Sequence, residues 1–228
     1  MKNFLLIFAI ICILSACKKD VEQLNTKECQ ISNVGLNNHI QATELQHLLD
    51  KSVAIGIPGI TAVVHSESDG FFYGTSGYSD LSRMSVLKAC NTFRVASLTK
   101  TFMGVAFMQL VESNQIDVNT NISTILDKNI LEGLEKANET TIGELLSHTS
   151  GIANYDDNTR FVATVLNEPG KELSVDDRLD FAKQLRGTPD WVIEKYEQVY
   201  SNTNYVLLEL ILEEVSGKSY EEYITENI

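Results

Sequence analysis

From Ala96 to Glu112 the chain reads as a helix without a polar face: Leu98, Phe102, Met103, Val105, Ala106, Met108, Leu110 and Val111 take up all sides of it. A helix of that kind is a buried one, so the fold is expected to enclose this segment within other elements. At its head stands Ser97-Leu98-Thr99-Lys100. Residues three apart share a helix face, which brings the serine hydroxyl and the lysine amine to the same side. The lysine sits badly there by local rules. A helix N-terminus favours negative groups, and a buried ammonium loses its hydration. Local rules broken without visible compensation mark functional sites.

The pair has two readings. In one, Ser97 is a helix N-cap and Lys100 snorkels to solvent. In the other, Lys100 takes the serine proton or stabilises the alkoxide, and Ser97 is a nucleophile; burial lowers a lysine pKa and suits it to that part. The spacing alone decides little, because it recurs at Ser15 with Lys18 and at Ser85 with Lys88. Only the third instance opens a long apolar helix. Tyr200-Ser201-Asn202, the only Tyr-x-Asn of the chain, precedes a second apolar helix expected over Thr203 to Val215. A tyrosine beside an ammonium can relay or accept a proton. An asparagine offers both a donor and an acceptor to a substrate amide. Read structurally, Tyr200 is an aromatic plug, and Asn202 or Thr203 caps the helix that follows.

The remaining pattern places an α+β layer first and helices after it. Thr43-Glu44-Leu45-Gln46 has the form of a capping box, opening a helix to about Ala54 with Leu45, Leu48, Leu49 and Val53 on one face. Ile60 to Val64 reads as a buried strand and Phe71 to Gly74 as its partner, joined through the Asp69-Gly70 turn signal. Further helices are expected after a second capping box at Thr141 to Glu144, over Val175 to Leu185, and from Ser219 onward, with a polar loop over 154–160. A helix followed by an antiparallel hairpin belongs to the α+β class.

Lys2 followed by the apolar run Phe4 to Leu14 reads as an export signal, too short to span a bilayer comfortably. Leu14-Ser15-Ala16-Cys17 resembles a bacterial lipobox, cut just before a lipidated cysteine. The expectation is therefore a signal peptide over 1–16, a lipid on Cys17, a tether over 17–42 and a domain over 43–228, held at the cell envelope by the lipid. The formal net charge of −13 repels nucleic acid phosphate, which excludes a nucleic-acid partner. Cys29 and Cys90 are the two cysteines left for the exported part. A disulfide between them would close a loop of roughly 60 residues and stabilise the fold by about 4 kcal/mol; two free thiols are the alternative. His39, His47, His65 and His148 are scattered, and no metal-ligand spacing occurs. No metal or cofactor is expected.

Taken together, four segments resemble the serine β-lactamase and penicillin-binding DD-peptidase superfamily, and most closely its class C β-lactamase-like branch. They are Ile57-Pro58-Gly59, the stretch from Phe93 to Phe102, the stretch from Leu145 to Ile152, and the stretch from Tyr200 to Leu208. The resemblance implies a helical subdomain beside an antiparallel sheet, and an envelope serine hydrolase acting on a β-lactam, a D-alanyl peptide or an ester. It assigns Ser97 as the acylated nucleophile, Lys100 as its partner in proton transfer, Tyr200 as the base that activates the deacylating water, and Asn202 as the holder of the substrate amide. It leaves His148, in Ser147-His148-Thr149-Ser150-Gly151, as a scaffold histidine.

The family's third element, Lys-Thr-Gly or His-x-Gly on a strand that walls the site, does not follow Tyr200. The sheet is therefore expected to be incomplete in this chain. The strand also supplies one oxyanion donor beside Ser97 N–H, and losing one such donor costs about 10²–10³ in rate. The rival expectation is a catalytically inactive lipoprotein that keeps the helical half as a penicillin- or peptidoglycan-binding module.

Overall fold

Leu45, Leu49 and Val53 recur every fourth residue along α1 (Ala42–Ala54) and turn its apolar row inward, with Leu49 buried. In the computed structural model the described residues are 37–187 and 197–228. The expected signal run, the lipidation site Cys17 and Cys29 lie outside them. The chain forms two compact units, one ending at Arg94 and one running from Val95 to Ile228.

In the first unit α1 packs on a hairpin of β1 (Gly59–Ser66) and β2 (Gly70–Asp80), to which β3 (Ser85–Val86) adds in antiparallel fashion. The Asp69-Gly70 turn is where the sequence put it: Gly70 takes φ +95° and pairs with Ser66. Three expectations are corrected here. The capping box at Thr43 does not form, because α1 starts earlier, with Gln41 as an N-cap that makes no side-chain bond. His39 accepts from Gln41 N–H through Nδ1 at 3.1 Å instead, and Gln46 reaches over to Thr75 O at 3.0 Å. Leu48 is 58 % exposed and outside the packed row. β1 is only half-buried, with Val63 at 56 % exposure.

β2 also runs on well past Gly74. Its third glycine is a packing residue: a Cβ on Gly77 would stand 2.4 Å from Pro58 O, and one on Gly59 would stand 2.3 Å from Tyr78 O. The stretch read as a tether through residue 42 is tied down at its end. Asn38 and His39 donate to Phe71 O, Phe71 N–H donates to Asn38 Oδ1 at 2.7 Å, and Tyr73 N–H donates to Asn37 Oδ1 at 2.6 Å. Cys90 is disulfide-bonded.

The second unit is helical. A 3₁₀ turn over Ala96–Leu98 leads into α2 (Thr99–Glu112), followed by α3 (Lys128–Leu131), α4 (Ile142–Leu146), α5 (Thr159–Asn167), α6 (Val175–Lys183), α7 (Asn202–Ser216) and α8 (Tyr220–Asn227). The sequence-read box at Thr141 closes with Glu144 on α4, and the helix start read at Ser219 forms as a further box with Glu222 on α8. α7 ends on Gly217 in the left-handed region, φ 68°, a conformation a glycine adopts without steric cost. α5 replaces part of the polar loop expected over 154–160. Its N-cap Asn158 accepts from Arg160 N–H and donates to Phe181 O, so this polar residue is a buried joint between α5 and α6.

The core centres on α7, whose Val206, Leu207, Leu208, Ile211 and Leu212 are buried against Met103, Ala106, Phe107 and Leu110 of α2 and their neighbours. Each of these side chains except that of Ala106 contributes roughly 1.5–3 kcal/mol on burial. The expectation that α2 is buried on every side is corrected. Its inner row is covered, while Leu98, Phe102, Val105 and Met108 are between 42 % and 67 % exposed. Apolar residues all round a helix fix what it could bury, not what lies against it.

Candidate active site

The packing of α2 on α7 brings the starts of the two helices together. Ser97 Oγ lies 2.9 Å from Tyr200 Oη, and Lys100 Nζ donates to Ser97 Oγ at 3.4 Å and to Asn202 Oδ1 at 2.6 Å. All four residues singled out in the sequence therefore fall in one cluster. The structural alternatives do not describe it. α2 has Leu98 and not Ser97 at its N-cap position, with no side-chain bond there. Tyr200 is 48 % exposed and plugs nothing, and the N-cap of α7 is Ser201.

Lys100 breaks the helix-dipole rule only when its own helix is viewed alone. Its ammonium lies 5.0 Å from the ring centroids of both Tyr200 and Tyr205, within the range where a cation is held by aromatic faces. Asn202 Oδ1 takes one of its protons, and the Asp156 carboxylate lies on the far side of the same amide, accepting from Asn202 Nδ2 at 2.7 Å. The compensation comes from other elements of the chain, the turn that holds Asp156 and the segment that holds Tyr200, Asn202 and Tyr205.

His148 sets the tyrosine. Its ring stacks on Tyr200 at 4.4 Å and its Nδ1 accepts from Ser201 N–H at 3.1 Å, while its carbonyl accepts from Val199 N–H. It is a hydrogen-bonded scaffold residue, as the sequence implied. Its own backbone is left-handed at φ 59°, and so is Ala96 at φ 46°, just before Ser97. Such conformations cost roughly 1–2 kcal/mol in residues other than glycine and collect at functional sites. Behind them Ser150 Oγ donates to Asn204 Oδ1 at 2.8 Å, both fully buried, and fixes the 145–152 segment to α7.

Several titrating groups around the site depart from their ordinary values, with Tyr155, Tyr205 and Glu209 pushed up chiefly by burial. For Tyr200, desolvation is the largest influence and raises its pKa. Hydrogen bonding to Lys100 and Ser97 and the Lys100 charge outweigh that, so the net shift is downward. Burial lowers His148, the Lys100 charge adds to the effect, and the bond from Ser201 opposes it. Burial raises Asp156, with Asp157 adding to it and the Asn202 bond and Lys100 opposing it.

Beside the cluster a cavity of about 270 Å³ is lined by Lys100, Tyr155, Arg178, Asn202, Tyr205 and Glu209. Arg178 Nη2 stands 3.8 Å from Glu209 Oε2 across this region. Among the described residues no group of three or more His, Cys, Asp or Glu side chains is placed to hold a metal ion.

Sequence reasoning passed over Asp156, Tyr205 and the ring contact of His148. Tyr205 is hidden in an apolar helix and Asp156 in a polar stretch. The one usable signal was the run of polar residues Thr203 and Asn204 at the head of α7, which an apolar helix has no reason to bury unless they bond something.

The chain matches known proteins over the same region. It is 30 % identical over 186 residues to Protein flp of Staphylococcus aureus strain MW2, which covers 81 % of this chain and 35 % of that one. It is 27 % identical over 168 residues to Penicillin-binding protein 4* of Bacillus subtilis strain 168, covering 74 % and 35 %. Among solved structures, the D-amino acid amidase of Ochrobactrum anthropi SV3 superposes with a TM-score of 0.66 at 25 % identity, over 82 % of this chain and 48 % of that one. The chain thus spans about a third of the length of these two curated relatives. Its mixed helix and antiparallel-sheet architecture is of the β-lactamase/transpeptidase type. The family profile described as Beta-lactamase matches residues 45–228, the span that holds the whole Ser97–Tyr200 cluster, and the chain belongs to that family.

Proposed function

We propose that the protein is a serine hydrolase working through an acyl-enzyme on Ser97, with a β-lactam, a D-alanyl peptide or a small ester as substrate. The observation that carries this reading is the 2.9 Å Ser97–Tyr200 contact with Lys100 beside it. A nucleophile needs a proton acceptor within hydrogen-bond reach. Tyr200, drawn below the ordinary phenol value, is such an acceptor in its phenolate form. As Ser97 Oγ attacks the substrate carbonyl carbon, its proton passes to Tyr200 Oη, and Lys100 balances the negative charge shared between them. The tetrahedral adduct then collapses, the C–N or C–O bond breaks, and the leaving group takes the proton from Tyr200. In the second half Tyr200 accepts a proton from water, the hydroxide attacks the acyl carbon, and Ser97 leaves with that proton.

Asn202 uses Oδ1 on Lys100 and Nδ2 on Asp156. A second lone pair on Oδ1 stays available to a substrate N–H. The likeness to a D-amino acid amidase supports an amide among the substrates.

Labelling of the purified protein with a fluorescent penicillin and with a fluorophosphonate tests the reading. Label on Ser97, lost in Ser97→Ala, is the expected result. No label on a folded protein would instead leave a binding module. We also propose export and lipid attachment through Cys17, supported by Leu14-Ser15-Ala16-Cys17 after the apolar run. Incorporation of labelled palmitate in cells, absent in Cys17→Ala, is the corresponding check.

A further inference from the structure

We propose that Asp156 is a positioning residue: it sets the Asn202 side-chain amide and, through that amide, holds the Lys100 ammonium at Ser97. The inference rests on the acyl-enzyme reading for its consequence in rate, though not for its geometry.

Asn202 lies between opposite charges. Its Nδ2 donates to Asp156 Oδ2 at 2.7 Å and its Oδ1 accepts from Lys100 Nζ at 2.6 Å. Rotating the amide by half a turn would put an NH₂ against an ammonium and an oxygen against a carboxylate, so both contacts would turn repulsive. The carboxylate thus selects one of the two amide orientations, and only that one offers Lys100 an acceptor. Without Asp156, the Lys100 ammonium alone is left to favour that orientation.

Asp156 is delivered to that position by the backbone. The 3₁₀ turn over Tyr155–Asp157 is fastened to the head of α7 by Asn202 N–H on Asn154 Oδ1 at 3.0 Å and Tyr155 N–H on Thr203 Oγ1 at 3.0 Å. Thr203 Oγ1 in turn donates to Ala153 O at 2.6 Å. The other carboxylate oxygen, Oδ1, is buried with no hydrogen bond of good geometry, Tyr155 contributing only a weak interaction. A half-satisfied buried carboxylate is unfavourable by itself. Its bond to Asn202 is the one strong contact it makes.

The test compares Asp156→Ala and Asp156→Asn with the unaltered protein in two measurements. The first is the rate of acylation by fluorescent penicillin. Alanine is expected to slow it by up to about 10²-fold, the scale of a misplacement of roughly 1 Å at a reacting centre. Asparagine, whose Oδ1 can still accept from Asn202, is expected to restore most of that loss. The second is the ¹H–¹⁵N signal of the Asn202 side-chain amide. It is expected to exchange slowly in the unaltered protein, to lose that protection in Asp156→Ala, and to move upfield in Asp156→Asn as the charge is lost. An Asn202 signal that both variants leave unchanged overturns the proposal, and so does acylation at the original rate in Asp156→Ala. Should the alanine variant not fold, the isosteric asparagine variant decides through the same amide signal. If even the unaltered protein takes no label, the acyl-enzyme reading falls, while the amide signal still decides whether Asp156 positions Asn202.

Discussion

Ser97 and Tyr200 are 103 residues apart in sequence, and their hydroxyl oxygens are 2.9 Å apart in the fold. The contact exists because α2 and α7 pack side by side with their N-termini at one end. Removing one oxygen isolates its chemical part. In Tyr200→Phe the ring can keep its stack on His148, so stability should change by less than about 1 kcal/mol, as for other partly exposed sites. Turnover should fall by roughly 10²–10⁴, the usual worth of a positioned general base. Steady-state hydrolysis of a chromogenic ester or β-lactam, with thermal unfolding as the control, measures both.

The same tyrosine should govern the alkaline dependence. A base active as phenolate gives a rate that climbs with pH, with a midpoint below the ordinary phenol value of about 10, because Lys100 and Ser97 together outweigh desolvation. In Lys100→Met the lowering influences of Lys100 are gone, while desolvation and Asp156 still act upward. The midpoint must then move to higher pH. Acylation rates from pH 6 to 11 would show it, and an unmoved midpoint would exclude Tyr200 as the titrating base.

How much of this was open to the sequence depends on whether the signal was local. The helix starts at Thr141 and Ser219 are written in four consecutive residues each, and they form as read. The box at Thr43 has the same form and fails, because residues 37–40 are bound to the hairpin and His39 takes the N–H groups of Gln41 and Ala42 ahead of it. That competition involves contacts across about thirty positions, which no window of four residues contains. At the site, Ser97 and Lys100 were legible as a pair out of place. Their compensation by Tyr205 and Asp156 was not, since each belongs to another element and carries no periodic signal.

His148 links site and stability through acid. Its pKa is lowered in the fold, mainly by burial and then by Lys100, whereas the unfolded chain protonates it near the ordinary value of about 6.5. Between those two values the unfolded state binds more protons, so stability is lost as pH falls through this window. Asp156, raised in the fold, acts in the opposite sense at lower pH, so the informative quantity is the difference between variants. In His148→Asn, a residue that tolerates the left-handed backbone at φ 59°, the slope of unfolding free energy between about pH 6.5 and pH 5 should flatten. Urea titrations at three pH values would measure it.

In the first unit, Gly77 tests the close approach of the strands. Alanine there would combine the left-handed φ of +84° with a Cβ placed 2.4 Å from Pro58 O, and backbone cannot move aside as a side chain can. The loss should be about 2 kcal/mol or more, beyond the 1–2 kcal/mol of the conformation alone. The readout is thermal unfolding followed by Tyr73, whose hydroxyl bonds Ala89 O.

The buried pair Ser150 and Asn204 gives the sharpest stability prediction, because two polar groups depend on one hydroxyl. Ser150 Oγ donates to Asn204 Oδ1 at 2.8 Å and accepts from Ile152 N–H at 3.1 Å, while Asn204 Nδ2 reaches Leu145 O at 3.4 Å. Neither side chain is accessible enough for water to take over. Ser150→Ala removes little volume yet leaves a carbonyl oxygen and a backbone N–H unpaired, at about 1–3 kcal/mol each. A loss of about 2–4 kcal/mol is expected once local relaxation recovers part of that sum. Asn204→Leu in the same background takes away the orphaned oxygen and should recover part of the loss, since a fully apolar pair is less costly than a half-satisfied polar one. The four-variant cycle, measured by denaturant unfolding, should therefore be strongly non-additive. Because His148 lies within the segment this latch holds, Ser150→Ala should also loosen the stack on Tyr200 and slow acylation, which simple additivity of two distant sites would not produce.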